Sequence, residues 1–223
     1  MLRRSGWGPI LLAGTIAVFA TARRGAGAQE RIPAPKRTPD PQITLEGGSS
    51  IGNVHVFAYA EGRRINPIGM EYGRHSWGGL LGARVDYVAE FLPVVLLNEP
   101  AVYGADSRAL TTARQTHYGV GFSPVGVRLL WRRNGNLKPY LIGKGGLLYF
   151  RSHVLSPEAS KLNFSAQFGG GLQTALSRGM ELRVGCTDFH FSNGDISARN
   201  PGIDFMYLNA GLVFRFGAPR LER

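Results

Sequence analysis

The sequence predicts an all-β fold, an eight-stranded antiparallel transmembrane β-barrel of the outer-membrane type. Three observations carry that prediction. Segments of ten or more residues alternate apolar with small or polar side chains, the pattern of a strand with one face in lipid and the other in a polar lumen. The links between them alternate short and long, as turns on one side of a membrane and loops on the other do. No stretch beyond residue 28 approaches the apolar length of a spanning helix, about 20 residues, so any crossing falls to strands.

The chain opens on a secretory signal. Arg3 and Arg4 form a positive n-region, residues 10–20 an apolar run, and Ala26-Gly27-Ala28 a small-x-small cleavage site, with Ala20-Thr21-Ala22 as the weaker alternative. Residues 1–28 are therefore read as a signal peptide and the protein as exported; an N-terminal membrane anchor is the alternative. Cleavage after Ala28 removes four arginines and no acids, so the formal net charge falls from +11 to +7. Residues 29–42 hold four prolines and read as a solvated periplasmic leader, because proline cannot donate to a sheet. Residues 43–223 form the barrel domain.

Eight strands are expected at residues 43–49, 65–76, 80–92, 117–131, 137–152, 162–176, 180–192 and 204–216. Residues 54–60 are also strand-like and extend the first strand or its hairpin. The alternation is clearest in the last strand: Met206, Leu208, Ala210, Leu212, Phe214 and Phe216 share the outer face, and Tyr207, Asn209, Gly211 and Arg215 the inner. Leu162, Phe164, Ala166 and Phe168 likewise oppose Asn163, Ser165 and Gln167. The inner rows imply a narrow polar lumen in which Arg84, Asp86, Glu90, Glu181, Arg183 and Arg215 pair, since isolated buried charges are costly. Short links fall at residues 77–79, 132–136 and 177–179, the middle one holding the hairpin dipeptide Asn134-Gly135. The longest link is 98–116. This rhythm places both termini in the periplasm and Trp77 and Trp131 near the periplasmic interface. A soluble lipocalin-like barrel is the alternative.

Composition narrows the function classes. One cysteine, Cys186, excludes an intramolecular disulfide and a multi-cysteine metal site, and reads as a small apolar filler. His55, His75, His117 and His153 lack ligand spacing, so no metal and no cofactor is implied. The basic balance comes without a nucleic-acid motif in an exported chain, which points to anionic lipid head groups as the partner and away from nucleic acid. Arg108, Arg114, Arg151 and Lys161 lie on or near the external loops, where they are either solvated charges or phosphate contacts.

One stretch carries chemistry. His190 and Ser192 are two apart on an extended segment and point the same way, and a loop returns Asp204 beside them. Parity puts His190 and Ser192 in the row of Leu182, Val184 and Cys186, and Asp204 in the row of Met206 and Leu208, so all three fall on the lipid face at the external rim. Polar groups there need partners or a function. A serine hydroxyl becomes nucleophilic when an imidazole takes its proton, and a carboxylate fixes the imidazole tautomer. The Asn200 side chain and the N–H of Gly194 are available to hold an oxyanion. A non-enzymatic structural or adhesive barrel with incidental rim residues is the rival reading.

His190-Phe191-Ser192-Asn193 followed by Asn200-Pro201-Gly202-Ile203-Asp204 resembles the lipid A 3-O-deacylases of the PagL type, including bacterial relatives labelled acyloxyacyl hydrolase. Tyr72-Gly73-Arg74, Glu90-Phe91-Leu92-Pro93, Lys138-Pro139-Tyr140 and Asn163-Phe164 extend the resemblance over most of the mature chain. It implies an outer-membrane serine esterase of Gram-negative bacteria acting on lipid A, the anchor of lipopolysaccharide, in the outer leaflet. On that resemblance Ser192 is the nucleophile, His190 the base, Asp204 the orienting acid, Asn200 and Gly194 the oxyanion site, and Asn193 a substrate contact. The family pattern carries glutamate where this chain has Asp204, which reaches one methylene less. Hydrolysis versus acyl transfer, and pairing into a homodimer, stay open.

Overall fold

The computed structural model describes residues 41–54, 56–58, 62–132 and 135–216. The signal peptide, nearly all of the leader and Asn134 of the expected hairpin lie outside the described residues. Eight strands follow one another: β1 (Gln42–Val54), β2 (Arg64–Leu80), β3 (Ala83–Pro100), β4 (Arg114–Leu130), β5 (Leu137–Phe150), β6 (Leu162–Ser177), β7 (Met180–Ser192) and β8 (Ile203–Arg215). Each pairs antiparallel with the next, and β1 pairs with β8, so the sheet closes into a barrel without edges. Closure pairs the backbone within the sheet, the requirement for strands in lipid.

β7 has its expected bounds, whereas β3 runs to Pro100, well past residue 92. The reason lies inside the barrel. Val95 and Leu97 point into the lumen and are fully buried, so both faces of β3 are apolar there and the period-2 contrast vanishes. The turn between β2 and β3 also falls later than expected, at Leu81 and Gly82, both with left-handed φ (50° and 77°) and flanked by the Leu80–Ala83 pair. That is the tight hairpin geometry whose twist matches the strands. Trp131 lies at the same end, where its indole N–H donates to the Leu81 carbonyl at 3.0 Å.

The lumen is not uniformly polar, as the sequence implied, but divided along the barrel axis. Towards the turn end, Arg128 bridges Glu71 (3.2 Å) and Asp86 (2.9 Å), Arg183 bridges Glu71 (2.7 Å) and Glu46 (2.9 Å), and Lys144 contacts Glu46 and Glu90. Lys138 and Arg215 both reach Glu181, each at 2.6 Å. Towards the loop end an apolar cluster takes over, including Ile65, Leu97, Phe150, Phe189, Phe191, Ile203 and Phe205. The wall that carries His190, Ser192 and Asp204 is therefore backed by packed aromatic side chains.

Candidate active site

Register places the rim residues. His190 of β7 pairs with Asp204 of β8, and Ser192 pairs with Phe164 of β6. Cross-strand partners share a face, and Phe164 is exposed on the outside. His190 and Ser192 therefore face outward, opposite Phe189 and Phe191, which are buried in the lumen. His190 Nδ1 lies 2.5 Å from Asp204 Oδ1.

Asp204 occupies an outward position yet is 0% exposed. Its cover comes from the loop after β1. The backbone N–H groups of Val56, Phe57 and Ala58 all donate to Asp204 Oδ2, at 2.9, 2.6 and 2.9 Å. Successive N–H groups converging on one oxygen form an anion-binding nest, which offsets removal of the carboxylate from water. The strand-like reading of residues 54–60 holds at Val54, the last residue of β1, and fails at residues 56–58, which fold over the acid; residues 55, 59 and 60 lie outside the described residues. Apolar Val56 and Ala58 imitate a strand in the sequence, but their N–H groups are claimed by a carboxylate that lies some 150 positions away.

The same loop borders the imidazole. The Phe57 ring stands edge-on to His190, with centroids 5.6 Å apart and planes at 74°. A methyl built on Gly202 would lie 3.1 Å from Ala58 Cβ, 3.2 Å from His190 Cε1 and 3.5 Å from Ser192 Cβ, so these three side chains border one small space. The Ser192 hydroxyl makes no hydrogen bond to a described residue, so the structure closes the His190–Asp204 leg and leaves the Ser192–His190 leg open. Asp188 shares the outward row two residues before His190, but its Oδ1 has no hydrogen-bond partner among the described residues. Asp204 is the acid in contact with the ring.

The loop between β7 and β8 begins with a tight turn. Gly194 and Asp195 both have φ near 61°, and Ile196 N–H donates to the Asn193 carbonyl at 3.3 Å. Glycine at 194 serves space as well as conformation, because a Cβ there would sit 2.8 Å from the Phe164 ring. The Gly194 N–H has no acceptor among the described residues. Asn200 Oδ1 accepts the Asn193 N–H at 2.8 Å, and its amide nitrogen has no acceptor among the described residues. Asn193, expected to touch substrate, is instead buried. Its Oδ1 accepts the Asp195 N–H (3.0 Å), and its Nδ2 donates to Ser197 Oγ (2.8 Å) and the Arg199 carbonyl (2.5 Å). Those bonds occupy both hydrogens of the amide nitrogen and hold the loop.

Of the rim cations, Arg114 is committed to structure: it donates to Asn98 Oδ1 (2.9 Å), the Asn98 carbonyl (3.0 Å) and the Gly62 carbonyl (2.6 Å). A second Ser-His-carboxylate set, which the sequence did not reveal, lies on the lumen side of the same end. His117 Nδ1 hydrogen-bonds Ser152 Oγ, and His117 Nε2 lies 3.0 Å from Glu99 Oε1. Glu99 Oε2 accepts from Arg63 Nε and from the Leu155 N–H, each at 3.1 Å.

Comparison with known proteins agrees with this architecture. Among solved structures, the crystal structure of the outer membrane enzyme PagL aligns over 76% of this chain and 97% of its own, with a TM-score of 0.52 and 16% identity, a likeness of fold. The Neisserial surface protein A crystal structure (TM-score 0.44, 11% identity, 79% and 96% covered) and the Yersinia pestis outer membrane protein Ail in a phospholipid nanodisc (0.37, 14%, 80% and 99%) are more distant barrels. No curated protein sequence matches the chain. The family model described as lipid A 3-O-deacylase (PagL) matches residues 81–213, more than half of the chain, including all of β7, the loop that follows it and β8 as far as residue 213. The chain belongs to the PagL family of lipid A 3-O-deacylases.

Proposed function

We propose that the protein is an outer-membrane serine esterase that hydrolyses an ester-linked acyl chain of lipid A at the outward rim of its barrel. The observation that carries the reading is the His190–Asp204 contact of 2.5 Å on the outer face, two residues from Ser192 on the same row. In this reading Ser192 Oγ attacks the ester carbonyl carbon while His190 Nε2 takes its proton. Asp204, bound to the opposite ring nitrogen, keeps Nε2 free to accept and stabilises the imidazolium. The carbonyl electrons move onto oxygen, where Gly194 N–H and the Asn200 amide donate to it. Collapse breaks the ester C–O bond, and His190 returns the proton to the departing sugar hydroxyl. Water, deprotonated in turn by His190, then cleaves the acyl-enzyme and releases the fatty acid. Asn193 acts at one remove, by holding Asn200 and the turn at Gly194.

The Ser192–His190 bond of such a mechanism forms by rotation of the serine side chain about χ1, one of three staggered choices, with the ester in place. Mass spectrometry of lipid A from cells expressing the chain or its Ser192→Ala variant tests the reading. The wild type removes one acyl chain, and the variant removes none. Identical spectra from the two strains would favour a non-enzymatic barrel.

A further inference from the structure

The segment that grips Asp204 lies outside the residues the family model matches, which begin at residue 81. It also carries the most exposed large side chain in contact with the site. Phe57 is 72% exposed although its ring stands against His190, and the neighbouring Val56 is exposed as well. From this geometry we infer that Phe57 is a specificity-determining residue whose ring contacts the acyl chain of the ester bound at Ser192. The inference rests on the reading of Ser192 and His190 as nucleophile and base.

Three features support it. The ring is not a loose surface group: the Phe57 N–H makes the shortest bond of the nest (2.6 Å) and its two neighbours donate to the same oxygen, so the backbone that carries it is fixed by the acid, and the ring itself stands edge-on to His190. On the other flank of Ser192 stands Phe164, also exposed and packed against Gly194. The nucleophile thus lies between two aromatic rings with bare faces, on a wall that meets lipid. Finally, a carbonyl carbon within reach of Ser192 Oγ and a leaving oxygen within reach of His190 confine the first methylenes of the acyl chain to the space these rings border. Aromatic rings supply large, rigid apolar contact there. Other contents of that space, such as a sugar or phosphate, would find no charged group on either ring.

The test uses the full chain in detergent micelles, with folding followed by heat-modifiable gel mobility, and compares p-nitrophenyl butyrate with p-nitrophenyl laurate. Phe57→Ala keeps the backbone N–H and hence the nest. It raises KM for laurate about tenfold relative to butyrate, a contact of a few methylenes, with a smaller change in kcat. Phe57→Leu restores most of the laurate preference, because apolar volume rather than an aromatic edge is what the chain needs. An unchanged laurate-to-butyrate ratio in a folded Phe57→Ala barrel overturns the inference, and so does an equal fall in kcat on both esters, which would mean that the ring only steadies His190. Undiminished hydrolysis by Ser192→Ala would instead remove the proposed function and this inference with it.

Discussion

Two Ser-His-carboxylate sets sit at the loop end of this barrel, one on each face of its wall. Outside are Ser192, His190 and Asp204; inside are Ser152, His117 and Glu99. Judged by residue types alone, the inner set is the better triad, for its serine is already hydrogen-bonded. The acids separate them. Glu99 shares its carboxylate with the Arg63 guanidinium at 3.1 Å, and Arg63 in turn donates to the Ser107 carbonyl at 2.8 Å and lies over the Tyr103 ring. Its negative charge is already answered, so it gains little from a proton arriving on His117. Among the described residues, Asp204 takes N–H groups on its second oxygen and has no lysine or arginine paired with it. In the proposed mechanism its counter-charge is the imidazolium that forms when His190 accepts a proton.

The surroundings differ in the same sense. The inner set joins β3, β4, Arg63 of the loop before β2 and the loop after β5 into one polar knot, a fastening for the lumen mouth. The outer set has a serine hydroxyl and a Gly194 N–H without partners among the described residues, and two exposed aromatic side chains, Phe57 and Phe164, nearby. The largest contrast is therefore expected between the two histidines. His190→Gln lowers fatty-acid release by about a thousandfold or more, the scale seen when a triad base is removed, while His117→Gln stays near the wild-type rate. Parallel assays on a chromogenic ester in micelles check this, and comparable losses in both variants would erase the distinction drawn from the acids.

Exchanging each acid for its amide sharpens the comparison further. Asp204→Asn keeps an oxygen for the nest but presents the wrong group to the ring, so kcat falls by about 10²–10⁴ in a barrel that still folds. Glu99→Gln should leave kcat alone and cost stability instead, about 3 kcal/mol, because the buried Arg63 guanidinium loses the charge of the Glu99 carboxylate. Urea unfolding of both variants reads this directly. A stability loss for Asp204→Asn as large as that for Glu99→Gln would mean that the nest serves the fold and not the histidine.

How much of this could be read from the sequence follows from how local each signal is. The outward and inward rows of β6, β7 and β8 were legible because lipid and lumen impose opposite demands on neighbouring residues, and from those rows came the outward placing of His190, Ser192 and Asp204. The far half of β3 was not, since Val95 and Leu97 face an apolar lumen and the contrast disappears. The nest was not legible either: backbone N–H groups leave no mark on residue identity, and Val56, Phe57 and Ala58 read as a strand. His117, Ser152 and Glu99 come from three separate segments and meet only once the barrel closes. Asn193 shows the opposite limit, because a motif position shows that a side chain is needed and not whether it serves a ligand or, as its bonds to Ser197, Arg199 and Asp195 do, a loop.

Gly202 is the quietest of these residues and gives the smallest expected effect. Its φ is outside the left-handed region, so alanine is conformationally acceptable and the backbone need not move. What changes is the space shared by the dyad. The new methyl would lie 3.1 Å from Ala58 Cβ and 3.2 Å from His190 Cε1, both tighter than ordinary carbon contacts, and one of the two must yield. Ala58 is pinned by its N–H to Asp204, so the imidazole is the partner that turns, and it turns on the side where Ser192 must reach it. A misplacement of a few tenths of an ångström in a proton-transfer pair costs a rate factor well below the ~10² associated with 1 Å, so kcat should fall severalfold with KM and the unfolding midpoint unchanged. The inner set has no glycine in this position and no equivalent substitution. An unaltered kcat in Gly202→Ala would show that the ring is held by Asp204 and Phe57 alone, and that the space between Ala58, His190 and Ser192 is slack.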